Sequence, residues 1–381
     1  MFWSNKRTYL DYAAGMSGNP SSPHKEGRKA KKMLEDARTS IARLVEVQSD
    51  DVIFTSGVTE ANALAILGIV RARSHLAPRT SHPHVLYLPS AHASVVENMK
   101  LLAEEDVMVD ELPIKNYRVD TEMLAKMLQA ETMLVSMDAV CGETGIIWNT
   151  REVKQTIGPK MLLHVDASQA PLTEKITRAH FSADMLTLDA SKVCATRGIG
   201  VLIAHRTIPI SPLYRGGGQE RGLRSGSEAP GLAREFARAL RAAANGRESF
   251  RASAERVRTE LIRNISTIPN VYINEGREPA CAGRQAPHIL NLSLIGRNTD
   301  YLVALLDEAG FAVSTRSACE TDSEGGSRAV YALTGDRERA RTTLRISWGP
   351  DVRSRDFGRF ALALVREVVL ASGGIDNGGQ R

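Results

Sequence analysis

The chain lacks any run approaching the ~20 apolar residues needed to cross a bilayer, and Met1 to Thr8 has no apolar stretch of signal-peptide length. No membrane association is expected, and a cytoplasmic location follows. Cysteine is scarce. Its four copies (Cys141, Cys194, Cys281, Cys319) lie far apart with no CxxC pair, which excludes a disulfide framework and a zinc site and leaves reduced thiols, one of which could be reactive. Aromatic residues make up only 5%, and the 49 Lys and Arg are scattered among 44 Asp and Glu. The net charge of +5 therefore comes without a basic block or interleaved aromatics, and no nucleic-acid partner is expected.

What is present is ordinary globular composition, 43% hydrophobic and 24% charged, over 381 residues. That length exceeds what one hydrophobic core usually serves, so two domains are expected. Val52-Ile53-Phe54, Val85 to Leu88, Met133 to Ser136, Leu162 to Val165, Met185 to Leu188 and Val201 to Ile203 read as buried strands. Helical stretches such as Glu60 to Val70 and His92 to Glu104 lie between them, a βαβα rhythm that predicts an α/β domain with a largely parallel sheet. Ala30, Leu34, Ala37, Ile41 and Leu44 predict an amphipathic helix beginning near His24. After Gly226 two helical stretches, Leu232 to Ala244 and Phe250 to Ile265, lead into a shorter pattern expected to form a second domain. Ser372 to Arg381, rich in Gly and polar groups, reads as a frayed tail.

Five segments carry candidate chemistry. Phe54-Thr55-Ser56-Gly57-Val58-Thr59-Glu60 ends a strand, turns on glycine and opens a helix, which is a phosphate-binding arrangement or a simple helix cap by Ser56 or Thr59. Asp166, in His164-Val165-Asp166-Ala167-Ser168-Gln169, stands at the C-terminal end of a strand, where α/β sheets place their ligands. It suits a pyridinium nitrogen and equally a helix N-cap. Lys192 follows the next strand. Desolvated near a phosphate site, its amine could form an imine; as most lysines are, it could simply be a surface charge. Arg215 and the glycine-rich run Gly216 to Ser227 concentrate charge that no core needs and read as an anion-recognising loop rather than a plain connection. Cys319 sits in the polar segment Ser314 to Glu320, the setting of a reactive thiol; Arg316 favours thiolate, while Glu320 and Asp322 oppose it.

Together these pieces resemble the cysteine desulfurases (NifS/IscS-like), a branch of the class V aminotransferase-like pyridoxal-phosphate enzymes. The resemblance runs over most of the chain in family order: Tyr9-Leu10-Asp11, Gly18 to Ser22, Thr55 to Glu60, Ala91-His92, Val165 to Gln169, Lys192 with Gly198-Ile199-Gly200, Gly216 to Ser227, Ser317-Ala318-Cys319 and Leu344 to Ser347. It implies fold type I, with a seven-stranded, mainly parallel sheet in a large domain over 14–245. A smaller α/β domain would comprise 1–13 and 246–372 and carry the cysteine loop, with 373–381 as the tail.

The resemblance also implies roles. Lys192 would carry pyridoxal 5'-phosphate as a Schiff base and move the α-proton, His92 would stack on the ring, and Asp166 would pair with the pyridine nitrogen. Gln169 would contact the phenolic oxygen, and Val58 and Thr59 would cradle the phosphate, with Ser227 reaching it from the partner subunit of a homodimer. Arg345 would bind the carboxylate of L-cysteine, and Cys319 would take its sulfur as a persulfide, leaving L-alanine. The 26-residue step from Cys319 to Arg345 resembles the group that hands sulfur to an acceptor protein, for iron–sulfur clusters or for thiolation of tRNA or cofactors. A selenocysteine lyase, another class V lyase or aminotransferase, and a non-catalytic partner in a sulfur-transfer complex are the alternatives.

The chain departs from the family pattern at several points. Asp189-Ala190-Ser191-Lys192 stands for Ser-x-His-Lys, Cys141-Gly142-Glu143-Thr144-Gly145 for Asn-Asn-Glu-x-Gly, and Arg316 for a glycine; the stretch between Tyr12 and Gly18 is short. An ionised Asp189 facing a phosphate would repel it, so Asp189 is expected to turn away, to pair with a cation such as Arg197, or to weaken cofactor binding.

Overall fold

The computed structural model describes residues 8–74, 82–276, 284–315 and 325–373. Seven strands form the main sheet: β1 (Val52–Thr55), β2 (His84–Tyr87), β3 (Met108–Glu111), β4 (Thr132–Asp138), β5 (Leu162–Asp166), β6 (Met185–Asp189) and β7 (Gly200–Ala204). Their order across the sheet is β1-β7-β6-β5-β4-β2-β3. Neighbours from β6 to β3 pair in parallel, while β7 runs antiparallel to both β1 and β6. The apolar runs of β1, β4, β5 and β7 are buried at every residue, as strands covered on both faces should be. The edge strand β3 is mostly exposed, and its mixed sequence gives no strand signal.

Helix α1 (Lys25–Val45) begins where expected, with the His24 side chain accepting from Gly27 N. Its buried stripe includes Leu34, Ala37, Ile41 and Val45. Helices α2 (Val58–Ser74) and α3 (Ala93–Glu104) follow β1 and β2, so their N-termini open at one end of the sheet. The two stretches predicted after Gly226 are one continuous helix, α4 (Pro230–Ile265). Asn245 and Gly246 remain inside it, because packing on both halves outweighs the roughly 1 kcal/mol helix penalty of a glycine.

Phe236 and Leu240 of α4 lie in the core of the main sheet, whereas Phe250, Ala254, Leu261 and Ile265 lie in a second core. That second core covers a three-stranded antiparallel sheet of order β8-β9-β10: β8 (Val271–Ile273), β9 (Ile289–Leu294) and β10 (Thr343–Ser347). Leu302 and Leu306 of α5 (Thr299–Glu308) and Phe360 and Leu364 of α7 (Ser354–Gly373) complete it, while the short α6 (Arg328–Thr334) places Ala329 in the first core. Residues 374–381 of the expected tail lie outside the described residues. Among the described residues no helix is long and apolar enough to cross a membrane.

Candidate active site

The C-terminal ends of β1, β5 and β6 bring the first set of candidate residues together. At the opening of α2, Val58 is buried and Thr59 exposed. Close approach forms this corner. A Cβ on Gly200 would lie 2.7 Å from the carbonyl carbon of Gly57 and 2.9 Å from Leu188 O, so only glycine lets β7 pass here. Neither Ser56 nor Thr59 caps the helix. The cap is Asp189, 131 residues away, whose Oδ2 accepts from Val58 N at 2.8 Å while its Oδ1 accepts from Ser191 N at 2.7 Å. Asp189 thus turns into the cradle and takes backbone N–H groups instead of pairing with Arg197. A carboxylate at a helix N-terminus gains both the free donor and the field of the helix dipole. Lys192, ending the short 3-10 turn Ala190–Lys192 between β6 and β7, is exposed.

The second set surrounds Asp166, which is 5% exposed. Its Oδ1 accepts from Ser168 N at 2.9 Å and its Oδ2 from Asn62 Nδ2 at 2.8 Å. Asn62, fully buried in α2, also donates to Ser94 Oγ at 2.9 Å and accepts from Thr187 Oγ1 at 2.7 Å. Ser94 Oγ meets His92 Nδ1 at 2.8 Å, and that ring nitrogen also accepts from Ser94 N, capping α3. Asp166 and His92 are therefore joined through Asn62 and Ser94. Sequence reading missed Asn62; its signal is an amide in the otherwise apolar run of α2, three residues beyond Thr59.

Asp138, paired in register with Asp166 on the adjacent strand, was also missed. Burial and then the Asp166 charge push its carboxyl up to about 8, and its Oδ1 lacks a hydrogen-bond partner among the described residues. His164, beneath Asp166, is pushed down to about 4 by burial and stays neutral, meeting Ser136 Oγ at 2.8 Å. Cys141 is not the reactive thiol: burial, then the neighbouring Asp138 and Glu143, push it up to about 12.

The third set comes from the smaller sheet. Arg345 in β10 donates from Nη1 to Gly142 O at 3.2 Å. A Cβ at Gly142 would lie 3.1 Å from Gln169 Nε2, so the missing side chain leaves room for Gln169 beside that backbone. Gln169, Gly142 and Arg345 therefore adjoin. Ser314 pairs with Arg345 through both backbone hydrogen bonds, which roots the segment leading to Cys319 next to the arginine. Cys319 and Arg316 themselves lie outside the described residues.

In the glycine-rich loop, expected to recognise an anion, most of the charge is used within the fold. Glu220, buried, receives both terminal nitrogens of Arg38 at 2.7 Å and Phe54 N at 2.8 Å, pinning the loop to α1 and β1. Arg221 donates to Asp50 O, and Arg224 pairs with Glu60 at 3.2 Å. Burial opposes ionisation of Glu60, but Tyr214 OH, Ser56 N and Arg224 outweigh it and hold the carboxyl below its usual range. Arg221 and Arg224 thus fold the loop rather than await a ligand, and Arg215 stands exposed. Ser227 is exposed, three residues before α4 begins.

The class V aminotransferase family profile matches residues 7–360. The chain is 32% identical over 343 residues to the cysteine desulfurase IscS 1 of Archaeoglobus fulgidus, covering 89% of this chain and 87% of that protein. It is also 32% identical to a NifS-type homologue of Lactobacillus delbrueckii, over 90% of this chain and 87% of that one. The chain belongs to the class V aminotransferase family, in its cysteine desulfurase branch. Among solved structures, a NifS-like protein superposes with a TM-score of 0.82 at 26% identity over 93% of this chain and 92% of that one. DndA of Streptomyces lividans superposes with a TM-score of 0.72 at 29% identity, over 90% and 94% of the two chains.

The family is pyridoxal-phosphate-dependent, and the residues present fit that group at its ring end. A buried acid with both oxygens accepting, the hydroxyl of Ser168 buried without a partner among the described residues, and an exposed lysine after the next strand suit an aromatic aldehyde with a ring nitrogen. The phosphate end is the departure, since a carboxylate already holds the first N–H of α2.

Proposed function

We propose that this chain is a cysteine desulfurase converting L-cysteine to L-alanine with sulfur retained on Cys319. The observation that supports the proposal is where the fold puts the segments bearing Asp166, Lys192 and Arg345. Asp166 ends β5 and Lys192 follows the adjacent parallel strand β6, while Arg345 is brought beside Gln169 through Gly142. On this reading the unit 14–245 holds the cofactor, and 246–372, with 1–13, carries Arg345 and the cysteine.

When bound, pyridoxal phosphate supplies an electron-withdrawing ring that makes the bonds at an amino-acid α-carbon labile. Lys192 would hold it covalently and move the α-proton, Asp166 would hold a proton at the ring nitrogen, and His92 would stack on the ring. Gln169 would donate to the phenolic oxygen, while Val58, Thr59 and a partner subunit's Ser227 would face the phosphate. Arg345, with its planar fork, would fix the substrate carboxylate. The Cys319 thiolate would then attack the substrate sulfur. An S–S bond forms, the substrate C–S bond breaks and the β-carbon gains a proton, so cysteine plus thiol gives alanine plus persulfide.

A homodimer in the cytoplasm, passing sulfur to an acceptor protein, completes the proposal. Activity on selenocysteine or another class V reaction would leave Cys319 dispensable, and a non-catalytic partner would take up no cofactor. Alanine and sulfide release from L-cysteine is the test: turnover is expected to vanish in Lys192→Ala and in Cys319→Ala, and turnover retained in the Cys319 variant would sink the desulfurase reading.

A further inference from the structure

In the cradle at the start of α2, backbone N–H groups are the donors an anion would use, and two are already committed: Ser56 N to Glu60 Oε2 at 2.6 Å, and Val58 N to a more distant carboxylate. Asp189 is the last residue of β6 and its carboxylate spans two backbone donors, Val58 N at 2.8 Å and Ser191 N at 2.7 Å. Its Oδ2 is also 3.4 Å from the position of a Cβ on Gly57, which places it on the glycine turn itself. Exposed Thr59 and Lys192 border the same corner.

A single N–H offers one hydrogen, and two like charges in contact repel strongly where water is partly excluded. A phosphate and the Asp189 carboxylate therefore compete for Val58 N. We propose that Asp189 is a built-in occupant of the phosphate cradle: it stands in for the phosphate in the cofactor-free chain, and the cofactor phosphate binds only by displacing it. This rests on the pyridoxal-phosphate reading of the site and deepens it. Two consequences follow. The phosphate contributes little to cofactor affinity, and the cofactor-free chain is stabilised by a cap that the loaded chain gives up.

Comparing pyridoxal phosphate with pyridoxal, which has the same aldehyde and ring but no phosphate, isolates that end of the site. Each is titrated into cofactor-stripped wild type and Asp189→Ser by equilibrium dialysis, with borohydride trapping and mass measurement at Lys192 as a check on placement. In wild type the two affinities should be similar. In Asp189→Ser the affinity for pyridoxal phosphate should rise by about tenfold or more, the factor of one charge-assisted hydrogen bond, with pyridoxal unchanged. Without ligand the variant should melt lower than wild type, and inorganic phosphate should raise the melting temperature of the variant alone. Asp189→Asn, which keeps an oxygen cap without the charge, serves if the serine variant does not fold. An unchanged ratio of the two affinities, with both aldehydes trapped on Lys192, overturns the competition. Failure of either aldehyde to be trapped in wild type overturns the cofactor reading, and this inference with it.

Discussion

The ring end and the phosphate end of the site lie at the C-terminal edge of one sheet and are built on opposite plans. At the ring end Asp166, Asn62, Ser94 and Thr187 close a buried hydrogen-bonded network contributed by β5, α2, α3 and β6. Each of those bonds exists without any ligand, so the acid is aimed before anything arrives. At the phosphate end a single carboxylate from β6 fills a helix N-terminus that a ligand would otherwise fill. On the proposed reading, one region is held by bonds that binding leaves intact, the other by bonds that binding must break. Substitutions at the first should therefore cost catalysis and stability together, and at the second should trade one against the other.

The largest expected effect breaks the first plan. Asp166→Ala removes one of the two acceptors of Asn62 Nδ2 and the side-chain acceptor of Ser168 N, and turnover measured with saturating cofactor should fall by roughly a hundredfold or more. Retained turnover would mean that the network aims nothing. Next, Gly200→Ala forces a Cβ to within 2.7 Å of Gly57 and should destabilise the cofactor-free chain by about 1–3 kcal/mol in urea titration. It should also disturb the cradle while leaving affinity for phosphate-free pyridoxal nearly intact. A pH-dependent effect sharpens the contrast within the ring end.

Asp138, with its carboxyl pushed up to about 8, binds a proton in the folded state that the unfolded chain, titrating near 3.8, releases. Its contribution is therefore complete below pH ~4 and is lost as pH rises toward 8, with a slope of at most about 1.4 kcal/mol per pH unit. Asp138→Asn should flatten that slope, so denaturation at pH 5 and pH 8 should show the variant gaining relative to wild type at the higher pH. Parallel curves would show that Asp138 is already ionised in the folded chain at pH 5.

The sheet was legible because its strands are buried on both faces and so read as continuous apolar runs, as in β5 and β7. The edge strand β3 was not, because Asp110 and Glu111 face outward and erase the signal. The two helical stretches read after Gly226 hid one helix, since Gly246 punctuates the sequence but not the structure. Asp166, Lys192 and Arg345 are legible as candidates from strand ends and motif order. Asn62 and Asp138 did not, because a buried polar residue is recognised by its partners, and those are 104 and 28 positions away in the chain. The fate of Asp189 shows the same limit: composition marks a charge near an anion site, but only the geometry shows that it caps the helix.

Helix α4 joins these matters mechanically. At 36 residues it is about 54 Å of continuous rod, with the glycine-rich loop attached at its start and the second core wrapped on its far half. A rod of this kind works as an axle shared by two wheels. Neither core can melt without stripping the apolar face from half of it, so calorimetry should record one cooperative transition rather than two. A torque on the smaller sheet, where Arg345 sits, would likewise be transmitted along the axle to the residues that follow Ser227.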